Sequence, residues 1–129
     1  MQTTQEKIAQ SSYSLSKAQK ASFKEHWKRR LNEEYANKSY KRGLRSAELG
    51  ESIAHYRKAI SHNPIHAKAH YNLGNALMRE KKDEEAILHY RVVVKVKPDD
   101  ANAYNNLGNA LLRTGNTSEA IAHFRKAIS

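Results

Sequence analysis

Cysteine is absent from the 129 residues. That excludes disulfides, thiolate metal sites and cysteine nucleophiles. No apolar run approaches the ~18 residues of a membrane span. The opening MQTTQEKIAQSSYSLSK has no apolar core behind a basic start, so it does not read as a secretory signal, and a cytoplasmic location is the expectation. There is no Gly-rich phosphate loop, no G-x-S-x-G, no H-E-x-x-H and no C-x-x-C, so neither an enzyme activity nor a cofactor is expected. Acidic residues are scarce, 13 against 23 Lys and Arg, for a net charge of +10. Residues 1–32 carry seven of the basic and two of the acidic residues, half of the excess. The chain therefore reads as a basic arm on an ordinary domain.

What is present is a repeat. Ala67–Lys95 and Ala101–Ser129 agree at 14 of 29 positions with a shift of 34 residues. A further shift of 34 brings in Glu33–Ser61, which agrees with the last copy at 12 of 29, mostly where IAHYRKAIS faces IAHFRKAIS. Within a copy the apolar spacing is helical: Leu73, Ala76 and Leu77, matched by Leu107, Ala110 and Leu111. A polar break follows, and Gly115 there suits a helix C-terminus. A second helical run has Ala86, Ile87 and Tyr90, matched by Ala120, Ile121 and Phe124. Pro64 and Pro98 close this run. Each copy is thus a hairpin of helices A and B, expected near 34–47 and 49–62, 67–80 and 84–97, and 101–114 and 118–128.

The period, with Leu73-Gly74, Leu77, Ala86, Tyr90 and Pro98 and the matching Tyr104, Leu107-Gly108, Leu111, Ala120, Phe124 and Ala127, resembles the tetratricopeptide repeat. The resemblance implies an all-α solenoid in which the A helices line a concave groove. It is close over 67–129 and looser over 33–66. In the first copy Ser39 and Tyr40 stand where Leu-Gly is expected, Gly43 replaces a large residue and Ser52 replaces the small alanine. The organisation expected is a disordered arm over 1–15, a basic helix over 16–32, a degenerate first repeat over 33–66, a second over 67–100 and a truncated third over 101–129. In the basic helix Phe23, Trp27, Leu31 and Tyr35 recur every four residues. This stripe is expected to dock on the first repeat as a cap. An anionic membrane surface or nucleic-acid phosphate are its other readings. Ser129 stands in register with Ser61, before any capping helix. The expectation is an N-terminal piece of a longer repeat protein, or self-association through the open end or the N-terminal helix.

Seven histidines raise the question of a metal. His62, His66 and His70 are separated by Pro64, and His55, His89 and His123 lie one repeat apart, too far to share an ion. They are read as surface residues, and no metal is expected. Glu84/Glu85 and Asp99/Asp100 suit helix starts.

The polar face of the A helices is the better candidate site. It carries Lys68, Tyr71, Asn72, Asn75 and Arg79 in the second copy, and Asn102, Asn105, Asn106, Asn109 and Arg113 in the third. At the 34 spacing these form the ladders Lys38–Asn72–Asn106, Lys41–Asn75–Asn109 and Arg45–Arg79–Arg113. Asparagine is a mediocre helix former, and its amide can both donate and accept. A row of them could hold the backbone of an extended peptide, with arginine adding carboxylate recognition. Bridging between repeats, or facing water, is the alternative use. The carboxylate clamp of chaperone-tail binders is not carried over, because Tyr71, Asn102 and Asn106 stand where its basic residues belong. YNLGNAL and NNLGNAL are similar instead to the asparagine-lined repeats of O-linked N-acetylglucosaminyltransferases and related bacterial proteins. The expected function is a non-catalytic interaction module that binds an extended or acidic peptide in the concave groove of the A helices. The alternatives are the substrate-recruiting N-terminal region of a longer bacterial enzyme such as a glycosyltransferase, and a basic nucleic-acid or membrane-surface adaptor.

Overall fold

The computed structural model describes residues 3–11 and 15–129. Among them the ordered elements are all helices: α1 (Thr4–Ser11), α2 (Lys17–Arg45), α3 (Leu49–His62), α4 (Ala67–Arg79), α5 (Asp83–Val96), α6 (Ala101–Arg113) and α7 (Thr117–Ala127). The helices pack as three hairpins, α2–α3, α4–α5 and α6–α7, and each hairpin stacks on the next through α3–α4 and α5–α6. The core is one contiguous cluster, with Leu73, Leu77, Tyr90, Leu107 and Leu111 fully buried at its centre. No helix among the described residues is long and apolar enough to cross a membrane.

The turns of the second and third hairpins have a common cause. Lys82 N–H reaches Leu77 O and Lys81 N–H reaches Met78 O, and the same two bonds recur from Asn116 to Leu111 and from Gly115 to Leu112. This is the Schellman closure, which needs one residue in the left-handed region. Gly115 supplies it at φ 88°, while in the second hairpin Lys81 adopts φ 61°. Between repeats, Arg57 pairs with Glu85 at 2.7 Å and Arg91 with Glu119 at 2.7 Å, a helix B to helix B contact repeated at the period.

Two N-terminal expectations are corrected. The stretch expected to be disordered contains α1, started by a capping box in which Thr3 and Glu6 each accept the other's backbone N–H at 3.1 Å. Residues 1–2 and 12–14 lie outside the described residues. The basic helix and the first helix A are one element: α2 starts from a second capping box, between Ser16 and Gln19, and runs 29 residues unbroken. Neither glycine nor proline occurs between Ser16 and Gly43 to interrupt it. The Phe23–Trp27–Leu31 stripe therefore lies on the same continuous helix as the first repeat and does not fold back onto it as a cap.

The first repeat is not degenerate in the way its 34-residue alignment suggests. A Cβ on Gly74 would stand 2.7 Å from the Tyr90 ring, and one on Gly108 would stand 2.6 Å from the Phe124 ring. In the first hairpin the equivalent close approach is Gly43 against Tyr56, at 2.5 Å. Helix B thus keeps the shift of 34, but helix A follows a shift of 31: Ala36, Tyr40 and Gly43 stand for Ala67, Tyr71 and Gly74. Three residues, about one helical turn, are missing from the end of helix A, so α2 closes a turn early while the three-residue link to helix B is kept. Its terminal carbonyls then need other donors. Ser52, at the alanine position of helix B, donates its hydroxyl to Gly43 O at 2.9 Å in a buried contact. Ser52→Ala restores the repeat's usual residue and a better helix former, yet it should lower stability by about 1 kcal/mol through the lost bond. Urea denaturation of the two proteins is the check.

Candidate functional site: the face of the A helices

The tyrosines of helix A set up the site. Tyr40 and Tyr71 occupy the same place in successive repeats, and each phenolic oxygen accepts from an asparagine of the next helix A. Asn72 Nδ2 reaches Tyr40 at 3.1 Å, and Asn106 Nδ2 reaches Tyr71 at 3.1 Å. Asn106 also donates to Asn75 Oδ1 at 3.0 Å, which in turn accepts from Tyr90 Oη at 2.5 Å. Burial pushes the Tyr90 phenol well above its ordinary range, so it stays a donor at any working pH. The asparagines therefore do bridge adjacent repeats. Asn106 commits both amide hydrogens, and Asn75 commits its oxygen. The groups left over are the Asn106 oxygen, the Asn75 N–H pair, and one N–H and the oxygen of Asn72.

Lys68, Tyr71, Asn72 and Asn102 come together around a hollow of about 370 Å³, completed by Tyr40, Lys97 and Asp100. Asp100 is occupied in part as the N-cap of α6, accepting from Ala103 N–H at 3.1 Å. Two lysines thus face one partly committed carboxylate, so the hollow is mildly positive.

The other sequence-predicted residues are placed elsewhere. Lys38 and Lys41 border a separate hollow of about 670 Å³ with Trp27, Arg30 and Lys7. Because helix A of the first repeat follows the shift of 31, Lys41 stands for Asn72 and Leu44 for Asn75. The three ladders hold between the second and third repeats, but their first rungs, Lys38, Lys41 and Arg45, are displaced by one turn. Arg45 and Arg79 are exposed at the ends of α2 and α4, and Asn105 and Asn109 are exposed on α6. Arg113 is 3.1 Å from Asp83 of the neighbouring hairpin, so it acts as a strut between repeats.

The histidines are corrected as well. His66 and His70 are buried. His66 Nδ1 accepts from Ala69 N–H at 3.1 Å, capping α4, which leaves its Nε2–H to donate to Asn37 at 2.9 Å. His70 Nε2 lies 2.7 Å from Pro64 O, a carbonyl that can only accept. Its Nδ1 must then accept from His89 Nδ1–H, 2.9 Å away. Both arrangements require neutral rings, and burial lowers the basicity of all three groups. Tyr104 and His123 stack at the same place in the third repeat. Sequence reasoning missed Tyr40, Lys97 and Asp100 as lining residues. The signal for Tyr40 was the match of A-x-x-x-Y-x-x-G over 36–43 with 67–74. Lys97 comes from the link between α5 and α6 and has no repeat signature.

No curated protein matches the sequence. Two structures of MamA superpose with TM-scores of 0.68 and 0.67, each at 29% identity over 72% of this chain and over 56% and 52% of theirs. The chain thus spans about half the length of those proteins. The second TPR of Spaghetti (RPAP3), solved bound to the HSP90 peptide SRMEEVD, superposes with a TM-score of 0.70 at 21% identity, over 76% of this chain and 94% of that one. At that identity the likeness is one of fold. A TPR repeat model matches residues 47–81 and 74–115, and a tetratricopeptide repeat model matches residues 103–129. With three hairpins closed by the same glycine–aromatic contact and most of its length matched, the chain belongs to the tetratricopeptide repeat family.

Proposed function

We propose that this chain is a non-catalytic interaction module that holds an extended, acid-bearing peptide over the hollow between Tyr40, Tyr71 and Asn102. The observation that carries this reading is the row of half-used amides. Asn72, Asn75 and Asn106 are fixed by their tyrosine bonds, so their remaining donors and acceptors are held ready at no further entropic cost. They suit the alternating N–H and C=O groups of a peptide backbone and do not read its side chains. Lys68 and Lys97 at the edge of the hollow suit a carboxylate of that peptide. The repeat of Spaghetti (RPAP3) solved with SRMEEVD is a precedent for an acidic peptide on this fold.

Calorimetry with a blocked heptapeptide rich in Glu, and with its Gln counterpart, tests this. The acidic peptide should bind more tightly. Lys68→Ala and Lys97→Ala should each weaken it about tenfold, a change of about 1.4 kcal/mol. Both lysines are exposed, so their loss leaves the core intact. Asn75→Ala is the poorer probe, because it also strips Tyr90 of its acceptor. Equal affinity for the two peptides, or indifference to both lysines, would remove the hollow from the function.

A further inference from the structure

On α2, helix α3 packs beside the row Gly43, Ser39 and Tyr35, and its last residue, His62, meets the Tyr35 ring at 5.5 Å between centroids. The row continues N-terminally, four residues at a time, through Leu31, Trp27 and Phe23, all part-exposed. From Phe23 to Tyr35 this is about 18 Å of helix. Phe23 and Trp27 are in edge contact at 5.9 Å, and the Arg30 guanidinium lies 5.0 Å from the Trp27 ring centroid, so the aromatic edge is held in place. Beside the row lies a hollow of about 350 Å³ between Trp27, Leu31 and Tyr35, with Lys24 and Lys28 on its rim, Gln5 of α1 at its border and no acidic side chain lining it among the described residues.

From this geometry we infer that the N-terminal half of α2 is a docking surface for an acidic amphipathic helix of another protein, which seats an apolar side chain in that hollow and carboxylates on Lys24 and Lys28. The form of the partner follows from the backbone. Every peptide group along this stretch of α2 is engaged inside its own helix, so nothing is offered to a strand or an extended peptide. A partner that desolvates its backbone here must satisfy that backbone itself, as a helix does. The stripe is one residue wide per turn, a seam for a second helix and narrower than the apolar face a membrane-surface helix needs. Nucleic-acid phosphate would engage the lysines but leave the apolar row uncovered. A second copy would bring Lys24 and Lys28 against like charges, whereas an acidic helix complements them.

Trp27 is the single tryptophan of the chain, so its fluorescence reports on this surface alone. The full chain is titrated with a synthetic Leu/Glu amphipathic peptide, its Leu/Lys counterpart, phosphatidylcholine–phosphatidylglycerol vesicles and a DNA duplex. The Leu/Glu peptide should blue-shift Trp27 and gain helicity on binding. Lys24→Glu/Lys28→Glu, both exposed, should weaken it at least tenfold and create affinity for the Leu/Lys peptide, with the circular dichroism of the free protein unchanged. Lys68→Ala should leave this binding intact, which separates it from the groove. Equal binding of the two peptides, a Trp27 shift with vesicles or DNA but not with the Leu/Glu peptide, or a shift that follows protein concentration together with dimer sedimentation would each overturn the inference.

Discussion

Gly74→Ala should destabilise the protein by about 1–3 kcal/mol, the usual cost of overpacking a filled core. The expected cost runs against propensity, since alanine in a helix interior is favoured over glycine by roughly 0.8–1 kcal/mol. The reason is the partner. The new Cβ would stand 2.7, 2.9 and 3.0 Å from three atoms of the Tyr90 ring. That ring is 1% exposed and its hydroxyl is tied to Asn75, so it has nowhere to turn. Any shift of Tyr90 also moves Asn75 and Asn106, which link the second repeat to the third. In a stacked array that interface term belongs to the stability of both neighbours. Gly50 is the matched control. It is helical and exposed, and no atom lies within 4 Å of where its Cβ would stand, so Gly50→Ala should stabilise by up to about 1 kcal/mol. Thermal melts followed by helical circular dichroism should separate the two variants by several degrees on opposite sides of the parent, at a few degrees per kcal/mol. A Gly74→Ala protein that melts at or above the parent would mean the glycine–tyrosine contact is not close-packed.

The glycine–aromatic contact also marks how far the sequence could be read. Helix limits from α3 to α7 were legible to within one or two residues, because apolar residues at helical spacing mark each run and Pro64 and Pro98 separate the copies. The first helix A was legible as a helix but not in register. IAHYRKAIS matches so strongly that it fixes a shift of 34 for the whole copy, while the missing turn is the last one of helix A, just before Ser46, where the shift changes from 31 to 34. Tyr40 then falls on the glycine position and looks like degeneracy. It is the counterpart of Tyr71, and with that shift the ladders lose their first rungs. The candidate site was legible as a face and less so as a set of contacts. Asparagines on that face were evident, but a sequence does not say that half of each amide is spent on a tyrosine 32 or 35 residues away. The histidines were misplaced for a related reason. His70 and His89 lie on different helices, and the cue to their pairing was the Tyr104–His123 pair one period on.

The buried histidines lead to the other large effect: the protein should lose stability steeply as the pH falls from about 6.5 towards 4. In the fold His89 titrates at about 4, because burial disfavours its cation and His70 sits against it; Glu85 offsets this in part, while Arg57 adds to it. His70 and His66 are also lowered, by burial, with Lys68 and Lys97 contributing at His66. In the unfolded chain all three take a proton near about 6.5. Between the folded and unfolded values the unfolded state therefore binds more protons, so stability rises with pH through that window. The contribution is complete above about 6.5 and is lost as the pH falls to the folded values. A tenfold difference in proton affinity between the two states corresponds to about 1.4 kcal/mol, and for the partly exposed His89 alone the effect is on the order of 2 kcal/mol. Protonation also has a structural consequence. A charged His66 cannot accept from Ala69, which breaks the α4 cap, and a charged His70 places a hydrogen against His89 Nδ1–H, which breaks the α4–α5 bond. The glutamates act in a different window. Arg57 and Arg91 hold Glu85 and Glu119 below the usual carboxylate range, so those pairs contribute above about 4.5 and fail only below it. Melting temperatures measured from about pH 7.5 to 4 should fall most between about 6.5 and 4.5. His89→Gln should melt lower than the parent at about pH 7.5 but lose less on acidification, so that the two curves converge near pH ~5. A melting temperature that stays level from about pH 7 to 5 would mean these rings accept protons within the fold, and the neutral His70–His89 bond would have to be abandoned.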